Sequence, residues 1–449
     1  MFNSVGESKL RYYNTSLSIL VKIPFIRIKM KLDKVPLFST KKDFFYFLVG
    51  CFFILTYSLL IEYQNFKNLT RFDTAIVKAV VLKQYIKSKD AKTYQVLKLK
   101  STNGFTFYTT AKTSLKDVIG KEITLEIFTN KITFFKFFTY FYAYSYIKNI
   151  SQTKTLKEHL NARLDDVHSD KNISNIYKAL YSASPLNKDL QTIFSSLGVS
   201  HLFAISGYHL GVLSGLILLM FKYPYTFLQD KFFPYRNSKR DIFLLISGIL
   251  LIYLLFLDSP PSLLRAYFML IIGFILYDRG VEIVSMQTLF VSLLLLLAFF
   301  PKLFFSLGFW LSVGGVFYIF LYLLEFKNIS KIWQFILMPV WVYLMMLPFS
   351  LSIFGNFSLY HPLSIVWTLL FSLFYPLSIF LHLVGFGDLL DGILNYFILL
   401  DSHSITVHLE IIFLYIAIFL SFLALFKRYF IYVLLFYNLG ILTYATIHL

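Results

Sequence analysis

The sequence has very little cysteine and few charged residues for its length. Only one of its 449 residues is a cysteine, Cys51, so the chain cannot form an intrachain disulfide or a cysteine-based zinc or iron–sulfur site. Charged residues make up 15% of the chain, whereas soluble globular proteins carry about 25%. This scarcity of charge excludes an intrinsically disordered chain and a purely cytosolic enzyme.

Apolar and aromatic residues take the place of charge. Hydrophobic residues make up 57% and aromatic residues 20%, including 52 Phe, and the mean hydropathy is +0.66. This composition predicts a polytopic α-helical membrane protein. The charge that remains is mostly positive, with 42 Lys and Arg against 24 Asp and Glu, and residues 196–449 carry little of it.

The order of apolar and basic stretches predicts five segments. Residues 44–61 hold 18 uncharged residues, roughly enough for a helix to cross a 30 Å hydrocarbon layer. The basic stretch before them predicts a cytoplasmic N-terminus, so the residues that follow should lie outside the membrane. The predicted segments are a cytoplasmic basic segment at 1–43, a transmembrane helix at 44–61, a β domain at 66–132, interfacial aromatic and amphipathic helices at 133–195, and a transmembrane domain at 196–449.

Residues 68–132 have the alternating pattern of β-strands. Four strands are predicted at TAIVKAVVLKQYIK, TYQVLKLK, FTFYTTA and EITLEIF, with a tight turn at Asn103-Gly104 between the second and third. Four or five short strands predict a small extracytoplasmic β-barrel of the OB type, although an SH3-like barrel would have the same pattern.

Lysines and aromatic residues are interleaved along these strands. A basic groove with stacking aromatic rings binds single-stranded nucleic acid with little sequence preference, whereas a solvated strand face over an aromatic core would look similar in sequence. The candidate binding residues are Lys83, Lys87, Lys89, Lys98, Lys100, Tyr94 and Phe107.

After residue 196 the apolar runs predict, with the first helix, nine to eleven membrane crossings. The loop at 222–240 carries five basic residues and is predicted to be cytoplasmic. To place the later basic cluster Lys427-Arg428 on the same side, residues 363–404 must contain either a break at Pro376 or a short crossing at Leu389–Leu400. Such broken segments are tolerated where they line an aqueous path, so a pore is predicted here.

Two strings place polar residues at the start of predicted spans. In SHLFAISGYHLG at 200–211, Gly207 and Gly211 have the spacing of closely packed helices, while the two histidines are either packing residues or functional ones. In DSPPSLLRA at 258–266, Ser262 is a candidate helix cap. Arg265 would cost about 2.5–3.5 kcal/mol within hydrocarbon unless it has a partner, for which Asp258 or an anion is the candidate.

The order of these strings, followed by PKLFFSLGFWLS at 301–312 and LPFSLSIFG at 347–355, resembles the ComEC family of competence proteins. The resemblance covers roughly residues 60–370. It implies a channel in the bacterial inner membrane that conducts single-stranded DNA into the cytoplasm during natural transformation, so the anion at Arg265 would be a DNA phosphate. The matching motif residues are Ser200, His201, Ser206, Gly207, His209, Gly211, Ser262, Arg265, Gly308, Phe309, Leu311 and Ser312.

The resemblance also indicates what must act with the chain. Many family members carry a metallo-β-lactamase-like domain, but the sequence has no His-x-His-x-Asp-His string, so a separate nuclease is expected. It has no phosphate-binding loop either, so a cytoplasmic helicase or translocase motor should pull the strand, and a periplasmic DNA receptor should deliver it. Neither a cofactor, nor a metal, nor a catalytic residue is expected. Ser364 and Ile365 stand where the family tends to have Asn, which weakens a polar pore contact there.

Two other functions remain as alternatives at this stage. A membrane-embedded hydrolase would use Ser206 or Ser200 as the nucleophile and His209 or His201 as the base, but sequence spacing places no carboxylate beside them. A small-molecule transporter would not explain the basic β domain, and the sequence shows no internal repeat of the kind that many transporters have.

Overall fold

The structure is a computed structural model that describes residues 37–38, 40–89, 92–116, 118–151, 155–358, 360–400, 405–407 and 409–448. Almost all of the predicted cytoplasmic segment 1–43 lies outside these residues.

A long helix leads from the basic flank to the β domain. Helix α1, Lys41–Leu69, begins with a capping box in which Thr40 and Asp43 each accept a backbone hydrogen bond from the other. At 29 residues it is about 43 Å long, which exceeds the hydrocarbon layer. The helix therefore extends past the predicted end at residue 61, and Phe66 and Leu69 in its last turns pack into the β domain.

The four predicted strands form the centre of that domain. They are β1 (Thr74–Lys89), β2 (Lys92–Ser101), β3 (Thr106–Ala111) and β4 (Glu122–Phe128), paired antiparallel in the order β3-β2-β1-β4. Gly104 has a φ of +83°, which confirms the turn that Asn-Gly predicts.

The chain from 134 to 150 completes the β domain. Helix α2, Phe134–Phe138, is followed by β5, Phe141–Tyr142, parallel to β3, and by β6, Ser145–Ile150, antiparallel to β4. These are the two end strands of an open six-stranded sheet, and only two residues separate them. The segment thus links both ends of the sheet, as in a partly open barrel of the OB type.

The aromatic run at 134–146 differs from its prediction as an interfacial anchor. Phe137 and Phe141 are 2% exposed and stack with Phe105 and Phe107 in the domain core. Composition alone did not reveal this, because most residues of the run are aromatic. The pattern therefore does not distinguish a buried face from an exposed one. The β domain consequently continues past the predicted boundary at residue 132.

Four short helices connect the β domain to the transmembrane region. They are α3 (Leu156–Val167), α4 (Lys171–Ser182), α5 (Lys188–Ser196) and α6 (Ser200–Phe203). The first two form an antiparallel hairpin, in which Asp165 pairs with Lys178 and Asn161 bonds to Ser182. Their apolar faces pack on a later transmembrane helix through Phe371 and Tyr375.

The remaining helices form the transmembrane region. They are α7 (Gly207–Phe232), α8 (Ser238–Phe256), α9 (Pro261–Asp278), α10 (Met286–Phe299), α11 (Leu307–Glu325), α12 (Lys331–Phe354), α13 (Ser364–Val384), α14 (Asp391–Ile398), α15 (Ile411–Ala424) and α16 (Tyr429–Ile447). Within the described part of the chain, seven helices, counting α1, are long and apolar enough to cross a membrane. The chain is a polytopic α-helical membrane protein with a small β domain, which confirms the predicted fold class.

The segment after α13 decides between the two predictions made for residues 363–404. Helix α13 continues through Pro376, so there is no break at that residue. The Trp367 ring near its start contacts Phe397, at 4.8 Å between centroids, whereas His382 near its end lies against Gly387. Strand β8, Ile405–Thr406, then pairs with β7, Asn356–Phe357, just before α13. Residues 387–398 therefore run back along α13, the direction that the predicted short crossing at Leu389–Leu400 requires.

The helices alternate in direction, so the bundle has two distinct ends. The first residues of α7, α9, α11 and α13 lie at the end that carries the β domain, where Lys302 pairs with Glu62 at 2.7 Å. We call this the motif end. We call the opposite end the basic end, because its loops and the adjoining helix ends hold Lys222, Lys231, Arg236, Lys239, Arg240, Arg279, Lys327, Lys331, Lys427 and Arg428.

Candidate functional site

The string at 200–211 forms two helices joined by a sharp turn. Ser200 and His201 begin α6, Ala204 is extended, and Ser206 precedes α7. The turn brings His201 and Tyr208 to the same residue of α13, because the His201 Nε2 lies 3.5 Å from the Thr368 hydroxyl and the Tyr208 hydroxyl donates to the Thr368 carbonyl at 3.4 Å. Ser200, His201 and Tyr208 are all exposed.

Ser206 and His209 cap α7 rather than form a catalytic pair. The backbone N–H and the hydroxyl of Ser206 both lie 3.2 Å from His209 Nδ1. His209 is fully buried, its ring meets the edges of Phe371 and Tyr375, and its Nε2 has no hydrogen-bond partner among the described residues. A catalytic base needs a third group to orient it, and no carboxylate of the described residues bonds to His209 Nε2. The geometry gives no support to the hydrolase alternative.

Replacing Ser206 by Ala tests the cap assignment. We expect Ser206→Ala to lower the free energy of unfolding by about 1 kcal/mol, because one cap interaction is lost, and to leave most of the DNA uptake that the resemblance implies. Thermal unfolding of the purified protein and transformation frequency in cells measure the two effects. Ser206→Thr is the control, since it keeps the hydroxyl. Complete loss of activity in Ser206→Ala with normal stability would restore the nucleophile hypothesis.

Gly207 lets α7 approach α9 closely. A Cβ atom at residue 207 would lie 2.9 Å from the Ala266 Cβ, closer than real Cβ atoms come, and 3.5 Å from an Arg265 guanidinium nitrogen. Gly211, one turn later, has open space instead. The predicted close packing of helices thus occurs at Gly207 but not at Gly211.

Arg265 is buried and forms no ion pair with any carboxylate in the part of the chain that the structure describes. Its residue exposure is 3%, one guanidinium nitrogen lies 3.5 Å from the Phe309 carbonyl oxygen, and its Nε has no partner among the described residues. The first turns of α7, α9 and α11 meet around it, and helix N-termini carry partial positive charge. The arrangement is strongly electropositive and suited to an anion.

The two local interactions predicted for this string are wrong. The carboxylate of Asp258 pairs with Lys157, and its backbone carbonyl accepts from Lys100, so Asp258 does not pair with Arg265. Pro260 stands at the cap position of α9, and the Ser262 hydroxyl instead donates to the Ile205 carbonyl at 3.0 Å. The positive φ of Asp258 turns the loop away from Arg265, while Ser262 fixes α9 against the start of α7.

The third motif contributes one backbone group to this centre. Ser306 caps α11 by accepting from the Phe309 N–H, and the buried Phe309 ring packs with Leu303 while its carbonyl faces Arg265. Gly308 is exposed with open space around it, and Ser312 is half-buried one turn later. Leu311 is also half-buried.

A second electropositive surface covers one side of the β domain. The strand register pairs Lys83 with Lys98 and Lys87 with Tyr94, and alternation along the strands brings further residues to the same side. We call this the lysine–tyrosine face, and it consists of Lys83, Tyr85, Lys87, Tyr94, Lys98, Lys100 and Tyr108. Four of these residues, Tyr85, Lys87, Tyr94 and Tyr108, border a groove of about 670 Å³ that Tyr140 and Tyr142 also line.

The two facing lysines are short of counter-charge. Burial and the neighbouring Lys98 lower the pKa of Lys83, and burial lowers the pKa of Lys98, whose ammonium lies 5.7 Å from the centre of the Tyr108 ring. Neither lysine has an ion pair within the described part of the chain. A bound phosphate would offset this repulsion.

Two predicted residues of this surface need separate comment. Phe107 is wrong as a binding residue, because it is completely buried and stacks on Phe141 in the core. Its neighbour Tyr108 faces outward and takes that place. Lys89 ends β1, but its side chain lies outside the described residues.

Sequence reasoning missed the tyrosines that border the groove. Tyr140 meets Tyr108 edge-on at 6.0 Å, and the Tyr142 hydroxyl donates to Thr110 at 2.8 Å. Both were assigned to a membrane anchor. The signal that could have found them is the presence of hydroxyls, since a run of Tyr beside β-strands is more polar than a run of Phe.

Comparison with known proteins gives one match. The family model described as Competence protein matches residues 182–449, which includes all four motif strings. No curated protein and no solved structure matches the chain.

Proposed function

Because the chain belongs to the competence protein family, the ComEC family that its motifs resemble, we propose that it is the inner-membrane channel that conducts single-stranded DNA into the cytoplasm during natural transformation. Membership in the family supports a role in DNA uptake, and the apolar helices support a multi-pass membrane protein.

The observation that carries the proposal is the junction between the lysine–tyrosine face and the motif end. Lys100, at one end of that face, donates a hydrogen bond to the Asp258 carbonyl, and Asp258 lies in the loop that starts α9. Seven residues later comes the buried Arg265. The basic and aromatic groups that could bind a single strand thus lead to Arg265. This cation has no ion pair among the described residues and lies at the N-termini of three helices.

Exposed charges on the hairpin beside the spans also support conduction. Helix α3 begins at the motif end, where Lys157 pairs with Asp258, and the residue after it, His168, bonds to His382 near the far end of α13. The hairpin therefore runs alongside a span, yet Arg163 and Asp166 of α3 are exposed. Each would cost about 2.5–3.5 kcal/mol in hydrocarbon, so both should face water.

The charge at the two ends of the bundle supports an orientation. Short loops at the basic end hold ten Lys or Arg, whereas those at the motif end hold Lys302 alone in the described part of the chain. By the positive-inside rule the basic end and the N-terminus are cytoplasmic, and the β domain is extracytoplasmic.

This orientation assigns places to the partners. A periplasmic DNA receptor would deliver the strand to the lysine–tyrosine face, and a separate nuclease would act on the duplex on that side. A cytoplasmic helicase or translocase motor would pull at the basic end, since the sequence offers no phosphate-binding loop. The surrounding lipid bilayer contacts the exposed apolar faces.

The lysine–tyrosine face can be tested through the salt dependence of binding. Full-length protein should bind single-stranded DNA with an affinity that falls as salt rises, because lysines release counterions from phosphates. We expect Lys83→Gln with Lys98→Gln to lower the slope of log affinity against log salt by about 1.4, at about 0.7 per phosphate contact. Fluorescence polarisation with a labelled oligonucleotide measures it.

Lys148→Gln is the matched control, because Lys148 belongs to the same domain but pairs with Glu126. Its slope should stay near that of the wild type. An unchanged slope in the double variant, or an equal reduction in the control, would remove the lysine–tyrosine face from the DNA path.

A further inference from the structure

A buried polar cluster joins four elements at the far end of α13. The side chain of His168, which follows α3, has no exposed surface, and its Nδ1 lies 2.9 Å from an Asp391 carboxylate oxygen of α14. Its Nε2 lies 3.0 Å from the His382 Nε2 of α13. The other nitrogen of His382 lies 2.7 Å from the Ser378 carbonyl. Three hydrogen-bond links therefore run in series.

The number of protons in this chain of links follows from the donor inventory. Each link needs one hydrogen between its two heavy atoms, so the three links need three. A neutral imidazole carries one N–H, and an ionised carboxylate carries none, so two neutral histidines and Asp391 supply only two. The Ser378 carbonyl can only accept. The closed arrangement therefore contains one additional proton.

The surroundings favour that proton on His168. The second oxygen of Asp391 is buried and has no hydrogen-bond partner among the described residues, so the carboxylate needs a positive neighbour. With an imidazolium at His168 the cluster is neutral overall. Helix α4 contributes Tyr177, whose ring stacks on His168 at 4.4 Å, and Tyr181, whose hydroxyl lies 3.3 Å from His382 Nδ1. The helical turn before α14 contributes Asp388, a second negative charge near His382.

We propose that His168, His382 and Asp391 form a proton-binding site that, when occupied, fastens the α3–α4 hairpin to α13 and α14. Loss of the proton leaves two acceptors facing each other in one link, and it leaves the carboxylate of Asp391, whose second oxygen is buried without a partner among the described residues, with no imidazolium beside it. Proton binding and hairpin contact are then coupled, so the hairpin is held less firmly as the pH rises. The site is independent of the proposed function.

The test is the pH dependence of unfolding of the full-length protein in lipid nanodiscs. The closed cluster holds one proton more than two neutral histidines and a carboxylate do, so proton binding favours the folded state and this stabilisation is lost as the pH rises and the proton leaves. Between pH 7 and 8 the unfolding equilibrium constant of the wild type should rise by up to about tenfold. His168→Gln and, separately, Asp391→Asn should flatten this rise.

If these residues serve packing alone, their substitution should lower stability equally at every pH. The slope of stability against pH therefore separates a packing role from proton binding. His159→Gln is the control, because His159 is an exposed histidine of the same hairpin. Asp391→Asn keeps the shape of the side chain and serves where His168→Gln does not fold. A wild-type constant that does not change between pH 7 and 8, or a slope retained in either folded variant, would overturn the proton site.

Discussion

Arg265→Ala should lower transformation frequency by about 100-fold while the amount of protein in the membrane stays near that of the wild type. The guanidinium is the unpaired cation at the meeting point of α7, α9 and α11, so its removal takes away the attraction for phosphate at the mouth of the proposed channel. A charge-assisted contact contributes about 1.5–3 kcal/mol, which corresponds to roughly ten- to 150-fold. Counts of transformants and membrane immunoblots measure the two quantities.

Arg265→Lys separates charge from geometry. The lysine keeps the positive charge but lacks the planar guanidinium that reaches the Phe309 carbonyl, so an intermediate transformation frequency is expected. If the Arg265→Ala protein disappears from the membrane in proportion to the loss of transformation, then Arg265 serves packing, and the phosphate role is wrong.

Gly207→Ala should have the second large effect. Its methyl group would lie 2.9 Å from the Ala266 Cβ, so α7 and α9 must separate and Arg265 must shift. Overpacking of this kind costs about 1–3 kcal/mol. We expect at least a tenfold loss of transformation, together with a lower melting temperature of the purified protein.

Gly211→Ala provides a matched control one turn along the same helix. It adds the same methyl group where nothing lies within 4 Å, and Ala also favours a helix over Gly by about 1 kcal/mol. Cells with the Gly211→Ala variant should therefore transform normally, and the variant protein should be at least as stable as the wild type. Equal losses of transformation and of melting temperature from both substitutions would show that the close approach at Gly207 is unimportant.

The sequence predicted the β-strands well because alternation is a local signal. All four strings became strands, and the Asn103-Gly104 turn lies where expected. The prediction failed at the aromatic run 134–146, where Phe137 lies in the core and Tyr140 faces the groove. A run dominated by aromatic residues on every side has no clear period, so only the tertiary fold decides which rings are buried.

The candidate site was found by its motifs, but its contacts were not. Gly207 and Arg265 were both singled out, yet Arg265 meets Phe309, 44 positions later, and Asp258 meets Lys157, 101 positions earlier. Such long-range partners depend on how helices pack, and spacing along the chain does not encode that. Phe107 was misplaced for a simpler reason, because its neighbour Tyr108 occupies the outward position of the same strand.

Conduction of DNA through the helical bundle can be tested by cross-linking a strand that is stalled during uptake. Cys51→Ser would remove the single cysteine of the chain, after which cysteines are introduced one at a time by Ser200→Cys, Ser312→Cys and Phe436→Cys. The first two positions lie in motif strings, and the third is exposed on the apolar helix α16. A thiol-bearing DNA strand with a bulky trailing end should cross-link to the first two and not to the third. Cross-links at none of them, or at Phe436→Cys alone, would contradict the channel.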